Sequence, residues 1–179
     1  DLCQCIPGEE AGSISSDDGT ESDLYCYMQR RRRSVKKERA VPRILLCAPA
    51  SGSGKTLITC GILQALVNRG KKVASFKCGP DYIDPMFHGR VIGTKSRNLD
   101  TFFTDSNTTR YLFAENTAEC DLAVVEGVMG YFDGLGGVST DGSTYDVART
   151  LSMPSVLIVN SRGASLSVLA TIKGFLSFR

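Results

Sequence analysis

The 179-residue sequence lacks the features that mark disulfide-rich, zinc-binding, membrane and secreted proteins. The seven cysteines, an odd number, include no paired CxxC spacing, which argues against a disulfide framework and against a zinc site. A reducing cytosol fits this cysteine usage best. No apolar run approaches the ~20 residues that span a bilayer, and the start of the chain lacks the pattern of a signal peptide. We therefore expect a cytoplasmic protein without a membrane segment.

A strong net charge is also missing, since the formal value is only +2. An acidic stretch, residues 9–23, largely cancels a basic stretch, residues 30–39. Residues 1–41 show neither helical nor strand periodicity and are rich in Gly, Ser, Asp and Arg, so we expect a disordered linker or tail there. Its arginine run has no interleaved aromatic residues, and a solvated linker is favoured over a nucleic-acid partner. Because the chain begins at Asp1, we expect a fragment of a longer protein.

From residue 42 onward, short apolar runs alternate with amphipathic stretches, which is typical of a parallel sheet covered by helices. Strands are predicted at residues 44–48, 72–77, 122–126 and 155–160. Helices are predicted at residues 55–69, 109–119, 144–151 and 164–175. The first helix would place on one face Ile58, Ile62, Ala65 and Leu66. The expected fold over residues 42–179 is α/β, a parallel sheet with helices on both faces and ligands at the carboxyl ends of its strands.

A glycine-rich loop joins the first predicted strand to the first predicted helix. It reads Ser51-Gly52-Ser53-Gly54-Lys55-Thr56. Its glycines let backbone amides surround an anion at the positive end of the helix. Lys55 offers an ammonium group to the β and γ phosphates of ATP, and Thr56 offers a hydroxyl to Mg²⁺. The strict pattern GxxxxGK[ST] fails at Pro49, but strand, loop and helix follow in the order that ATP binding requires. The predicted α/β sheet is therefore expected to be P-loop NTPase-like.

Acidic residues and a lysine follow two other predicted strands. Glu126 ends one strand, at the place where P-loop enzymes hold a metal directly or through water. Lys77 ends another and precedes Asp81 and Asp84 on a loop stiffened by proline. There the two aspartates are placed to share the metal, and Lys77 to stabilise a transferred phosphate. An ordinary turn and a solvent-exposed acid at a strand end are the plainer alternatives.

Three further residues are weaker candidates. Asp133 is a third acid, in a glycine-rich loop, and His88 is the only histidine of the chain. A lone histidine is more often structural than catalytic, but this one lies close to the aspartate loop. Arg97 carries a forked donor suited to carboxylate or phosphate, although a surface loop would explain it almost as well.

With these residues in place, residues 42–179 resemble the amino-terminal synthetase domain of the cobyrinic acid a,c-diamide synthase family, which is related to dethiobiotin synthetase. Besides the glycine-rich loop, the resemblance rests on Phe76-Lys77-Cys78-Gly79-Pro80-Asp81-Tyr82-Ile83-Asp84-Pro85, Ser96-Arg97-Asn98-Leu99-Asp100 and Val125-Glu126-Gly127-Val128-Met129-Gly130-Tyr131-Phe132-Asp133-Gly134. The first and third of these blocks are far more specific than the glycine-rich loop. One departure is Ala48, where relatives often carry glycine.

The resemblance implies an ATP-dependent carbon–nitrogen ligase of cobalamin biosynthesis. Such an enzyme activates the a and c side-chain carboxylates of a corrinoid as acyl phosphates, and ammonia from glutamine converts each into an amide. The residues implied in catalysis are Lys77, Asp81, Asp84, Glu126 and Asp133. The residues predicted to hold Mg²⁺ are Thr56, Asp81 and Glu126.

The family also carries a carboxyl-terminal glutamine amidotransferase domain, which we expect to be missing here. No cysteine stands in a Gly-x-Cys-x-Gly elbow, and the chain stops at Arg179. The expected partners are thus a corrinoid and that separate domain, with a homo-oligomer as a further option. Three alternatives stay open: amidation of nickel sirohydrochlorin or of later corrinoid carboxylates, a regulatory or partitioning ATPase, and an inert fragment.

Overall fold

The computed structural model describes residues 40–178. Most of the predicted linker, residues 1–39, lies outside the described residues, so that prediction and the domain boundary stay predictions. The strands are β1 (Arg43–Cys47), β2 (Val73–Cys78), β3 (Lys95–Leu99), β4 (Leu122–Glu126) and β5 (Ser155–Leu157). The helices are α1 (Lys55–Asn68), α2 (Ile83–Phe87), α3 (Ser106–Thr117), α4 (Thr144–Thr150) and α5 (Val168–Ser177). None of these described helices is long and apolar enough to cross a membrane.

The five strands form one parallel sheet in the order β3-β2-β4-β1-β5. The strand β4 lies between β2 and β1, so Glu126 at its end is opposite Lys77 on one side and Leu46 on the other. Because the carboxyl ends of parallel strands meet at one edge, the loops after β1, β2 and β4 converge there. The predicted α/β parallel sheet is confirmed.

Apolar side chains alternate between the two faces of the sheet, as the pleat requires. On one face, Phe76 and Val125 belong to a core cluster with Phe113 of α3, and the two phenylalanine rings are 5.2 Å apart. On the other face, Val124 belongs to a cluster with Leu63 of α1. Helices therefore cover both faces, as the sequence predicts.

The buried face of α1 differs from the predicted one. Its buried residues are Lys55, Thr59 and Leu63. Of the predicted set, Ile62 and Leu66 are half-buried, whereas Ile58 and Ala65 are exposed. Apolar residues occur on several sides of this helix, so their spacing alone allows more than one buried face. Lys55 is buried at the start of the helix. Thr59 and Leu63, four and eight positions further on, lie on the same face and are therefore buried as well.

The strand β3 was not predicted, because it is polar. Only its last residue, Leu99, is buried, whereas Lys95 and Arg97 are exposed. As the edge strand it pairs with β2 alone. Edge positions face solvent, so no apolar run marks this strand in the sequence. Arg97 therefore lies on a strand of the sheet and not on a surface loop, the alternative considered for it.

Several element boundaries also differ from the predictions. The last predicted strand ends at Leu157 rather than at residue 160, and α5 begins at Val168 rather than at residue 164. The helix α3 begins three residues early because Asp105 caps it. The Asp105 carboxylate accepts hydrogen bonds from the backbone amides of Asn107 and Thr108, each at 2.8 Å.

Candidate active site

A cleft of about 450 Å³ opens where the loops after β1, β2 and β4 converge. It is lined by Ser51, Gly52, Gly54, Lys55, Thr56, Leu57, Lys77, Asp81, Asp84, Gly127, Val128 and Met129. Three sequence segments that were singled out separately thus form one surface. Glu126 lies beneath this surface and is fully buried.

The glycine-rich loop has the backbone conformation that requires glycine. Gly52 and Gly54 have φ angles of 75° and 95°, in the left-handed region. A Cβ atom at either position would meet no atom within 4 Å, so backbone conformation rather than lack of space favours glycine. The loop ends at Gly54, and α1 begins at Lys55 with its amides directed toward the cleft. This is the geometry of an anion site at a helix start.

The side chain of Lys55 connects the glycine-rich loop to the loop after β4. Its Nζ donates to the carbonyl oxygens of Ala50 at 3.2 Å and Met129 at 2.6 Å. Burial, and then repulsion from Lys77, lowers the pKa of Lys55. An anion in the cleft would offset both effects, since it stabilises a nearby ammonium group.

Lys77 and Glu126 form a buried ion pair because their strands are in register. They are opposite each other in the β2–β4 pairing, and both side chains point to the α1 face. Lys77 Nζ donates to Glu126 Oε1 at 2.7 Å, and Thr56 Oγ1 donates to the same oxygen at 2.5 Å. The glycine-rich loop, β2 and β4 therefore meet at one carboxylate oxygen.

Two aspartates surround the ammonium group of Lys77. Asp84 accepts a hydrogen bond from Lys77 Nζ, and Asp81 Oδ2 lies 3.7 Å from the same nitrogen. Burial disfavours the charged ammonium, but the hydrogen bonds to Asp84 and Glu126 outweigh it and raise the pKa of Lys77. The raised pKa keeps Lys77 charged at neutral pH.

Thr56 and Glu126 offer the oxygen ligands that Mg²⁺ prefers. Thr56 Oγ1 and Glu126 Oε1 lie 2.5 Å apart next to the glycine-rich loop, and these two oxygens are the candidate ligands. In phosphate sites Mg²⁺ binds one or two carboxylates together with waters and phosphate oxygens, and these two residues fit that pattern. No group of three or more His, Cys, Asp or Glu suited to a metal occurs in the described part of the chain.

The other predicted metal ligand, Asp81, has a local structural role. Its Oδ1 accepts hydrogen bonds from the amides of Ile83 at 2.9 Å and Asp84 at 3.2 Å, at the start of α2. These bonds fix the loop that presents Asp84 to Lys77. A contribution of Asp81 to metal binding stays a prediction.

Asn98, a residue of β3, binds the loop after β2 that carries Asp81 and Asp84. Asn98 was given no role of its own in the sequence analysis. Its Nδ2 donates to the carbonyl oxygens of Gly79 at 2.8 Å and Asp81 at 2.5 Å. The neighbouring Arg97 is exposed and donates to the carbonyl of Ser96, so the predicted forked donor lies outside the cleft lining. The edge strand thus positions the loop through Asn98.

The substitution Asn98→Asp is expected to lower the free energy of unfolding by about 1–3 kcal/mol, because it removes both donors and directs a carboxylate at two carbonyl oxygens. Urea unfolding would measure this. The exposed neighbour provides a matched control, since Arg97→Gln should change the value by less than about 0.5 kcal/mol. Equal effects of the two substitutions would contradict the role of Asn98.

Asp133 stabilises the loop that follows β4. Its Oδ2 accepts a hydrogen bond from the Gly130 amide at 2.9 Å. A Cβ on Gly130 would lie 2.6 Å from the carbonyl oxygen of Pro49, which explains the glycine. Asp133 is outside the cleft lining, so its predicted part in activation stays a prediction.

Thr144, at the start of α4, was also missed. Its hydroxyl donates to the carbonyl of Val128 and accepts from the amide of Val128, both at 2.9 Å. A Cβ on Gly127 would lie 2.6 Å from Thr144 Cγ2, so glycine is needed here for the close approach of α4 to the loop after β4. Ser143 precedes Thr144 and caps this helix, since its side chain accepts from the Asp146 amide, so a capping serine is the sequence signal that could have drawn attention to this position.

His88 is fully buried on a π-helical turn, His88–Ile92, that continues α2. Its Nε2 lies 3.6 Å from Glu126 Oε2. Burial lowers the pKa of His88, although the charge of Glu126 opposes this. The histidine therefore lies behind the cleft rather than in its lining.

The fold and this site define a P-loop nucleotide-binding domain, since a glycine-rich loop, a lysine and a strand-end carboxylate meet at the start of α1. The model of the CobQ/CobB/MinD/ParA nucleotide binding domain matches residues 44–174, and the chain belongs to this family. The resemblance carried by the sequence blocks is confirmed.

Curated relatives include a,c-diamide synthases from bacteria and archaea. The chain is 45% identical over 139 residues to hydrogenobyrinate a,c-diamide synthase of Streptomyces coelicolor. It is 47% identical over 135 residues to cobyrinate a,c-diamide synthase of Gloeobacter violaceus, and 42% over 136 residues to that of Methanocaldococcus jannaschii. These alignments cover 75–78% of this chain but only 29–30% of the relatives. The chain thus spans less than a third of the length of these relatives.

Among solved structures, the hydrogenase maturation factor HypB from Archaeoglobus fulgidus aligns with a TM-score of 0.49 and 18% identity, over 69% of this chain and 55% of that chain.

Proposed function

We propose that the chain is the ATP-binding, carboxylate-activating part of an enzyme that amidates the a and c side-chain carboxylates of cobyrinic or hydrogenobyrinic acid in cobalamin biosynthesis. The names of the relatives support this substrate class. The observation that carries the proposal is the register of β2 and β4, which joins Lys77, Glu126 and Thr56 at one oxygen beside the glycine-rich loop.

The reaction would proceed through an acyl phosphate. A carboxylate oxygen of the macrocycle attacks the γ-phosphorus of ATP and ADP leaves, after which ammonia attacks the acyl carbon and inorganic phosphate leaves. Transfer of this kind depends on positioning and on charge neutralisation more than on covalent catalysis. Lys55 would bind the β and γ phosphates, and Lys77 would neutralise charge on the transferred group. Mg²⁺ held by Thr56 and Glu126 would supply further positive charge to the phosphates.

Ammonia would come from a glutamine amidotransferase domain, which we place outside this chain. None of the seven cysteines has the Gly-x-Cys-x-Gly context of an amidotransferase nucleophile. Cys78, for example, is fully buried with a pKa raised to about 12 by burial, which disfavours the thiolate. We expect the purified chain to bind ATP without hydrolysing glutamine, and measurable glutaminase activity would contradict this assignment.

The substitution Lys55→Ala is expected to weaken Mg·ATP binding about 10- to 100-fold, since hydrogen bonds to a charged group contribute about 1.5–3 kcal/mol each. Isothermal titration calorimetry with a non-hydrolysable ATP analogue measures the effect. Lys71→Ala is the matched control, because Lys71 is exposed and lies just beyond the carboxyl end of α1, away from the cleft lining. Comparable losses in both variants would argue against the proposed phosphate site.

The macrocycle can be identified by competition. With the ATP analogue and Mg²⁺ present, cobyrinic acid should bind and sirohydrochlorin should not. Preference for the nickel form of sirohydrochlorin would instead support the alternative tetrapyrrole. A crystal of the full-length protein with all three ligands should hold a macrocycle carboxylate near the γ-phosphate.

A regulatory or partitioning ATPase remains the second candidate, because the family description also includes MinD and ParA. ATP turnover that requires a protein partner, together with no affinity for a tetrapyrrole, would favour it.

A further inference from the structure

Two fully buried polar groups face each other behind the cleft. His88 and Glu126 are both 0% exposed, and His88 Nε2 lies 3.6 Å from Glu126 Oε2. Glu126 Oε2 and both ring nitrogens of His88 have no hydrogen-bond partner among the residues that the structure describes. Buried polar atoms are nearly always paired, so each of these groups is the obvious partner for the other.

The two oxygens of Glu126 have different surroundings. Oε1 accepts from Thr56 at 2.5 Å and from Lys77 at 2.7 Å. Oε2 accepts no hydrogen bond from the described residues and lies 3.6 Å from His88 Nε2. A donor at Oε2 would fix the rotation of the carboxylate about its last bond. A displacement of about 0.5 Å would bring the two atoms to hydrogen-bond length. Such bonds commonly tighten when ligands bind.

The position of His88 is itself fixed by β2. Its carbonyl oxygen accepts hydrogen bonds from Thr94 N at 3.1 Å and Thr94 Oγ1 at 3.0 Å. The Thr94 hydroxyl also pairs with Ser75 Oγ of β2 at 2.8 Å. The strand that carries Lys77 therefore also anchors the backbone of His88, through Ser75 and Thr94.

We propose that His88 is a positioning residue whose Nε2–H donates to Glu126 Oε2 and holds the carboxylate so that Oε1 faces Thr56 and the metal. The role rests on the proposed function, because Glu126 matters here as a ligand of nucleotide-bound Mg²⁺. It requires no charge on the ring, since a neutral imidazole retains one N–H. Loss of such a partner of a metal ligand typically costs 10- to 100-fold in metal affinity.

The test compares His88→Gln, His88→Asn and His88→Leu in the full chain. The glutamine amide reaches about as far as Nε2, the shorter asparagine amide does not, and leucine has no donor. A fluorescent non-hydrolysable ATP analogue reports binding while Mg²⁺ is titrated, and again in EDTA. We expect the half-saturating Mg²⁺ concentration to rise about 10-fold or more in the Asn and Leu variants and less than about 3-fold in the Gln variant. Affinity in EDTA should be equal in all.

Ile92→Val is the matched control, because Ile92 is buried on the same turn and belongs to the apolar cluster; its Mg²⁺ dependence should be unchanged. Equal behaviour of the Gln and Asn variants would overturn the proposal, as would a parallel loss of affinity in EDTA. A Gln variant that fails to fold would also overturn it, since that variant keeps the donor. Wild-type protein that binds no ATP analogue, or binds it without regard to Mg²⁺, would overturn the proposed function as well.

Discussion

Replacing Lys77 with methionine should lower the free energy of unfolding by about 3–5 kcal/mol, because it leaves a buried carboxylate without its cation. Lys77 is 5% exposed and Glu126 is fully buried. Lys77 also donates to Asp84 and lies 3.7 Å from Asp81, so three carboxylates lose their shared counter-charge at once. Methionine has a similar length, and the change therefore removes charge with little loss of volume. Urea unfolding, followed by circular dichroism, measures the effect.

Lys72→Met is the control for Lys77→Met, because Lys72 is exposed just before the same strand. It should change the unfolding free energy by less than about 0.5 kcal/mol. The affinity for nucleotide should also differ between the two variants, since Lys77 lines the cleft and Lys72 does not. Similar stabilities for both variants would show that the Lys77 cluster is solvated rather than buried.

Most of the sheet could be predicted from the sequence because its central strands are buried on both faces. Leu122–Glu126 is buried from Ala123 onward and its first four residues are apolar, so the strand is easy to recognise in the sequence. The edge strand Lys95–Leu99 gives no such signal, since a single neighbour and an open side allow polar residues. The buried face of the helix Lys55–Asn68 could not be predicted either, because it is determined by the burial of Lys55 at the end of the glycine-rich loop.

The site could be predicted in its parts but not in its pairings. Lys77 and Glu126 were each recognised at a strand end, yet the strand order that makes them neighbours depends on packing of the whole sheet. Asp133 was recognised as an acid in a glycine-rich loop, but its hydrogen bond with the Gly130 amide could not be predicted from that pattern. Asn98 had no sequence signal of its own, since its partners are backbone carbonyls of a distant loop.

The substitution Glu126→Gln should rescue part of the stability lost in Lys77→Met. Alone, it removes a buried charge but keeps an oxygen for Thr56, and Lys77 retains Asp84, so the cost should stay below about 1.5 kcal/mol, the net value of a typical hydrogen bond. In the methionine background the same change eliminates the uncompensated carboxylate. The double variant should therefore be more stable than Lys77→Met, with an interaction energy of about 1–3 kcal/mol in a double-mutant cycle.

Asp84→Asn in the same background separates burial from simple charge balance. Asp84 and Glu126 both accept from Lys77, but the Asp84 side chain is 17% exposed and that of Glu126 is 0% exposed. Water can solvate the aspartate when the lysine is gone, whereas the glutamate stays in a low-dielectric environment. Urea unfolding of both double variants should thus show a larger rescue from Glu126→Gln than from Asp84→Asn. Equal rescue would mean that net charge, and not burial of Glu126, determines the cost of losing Lys77.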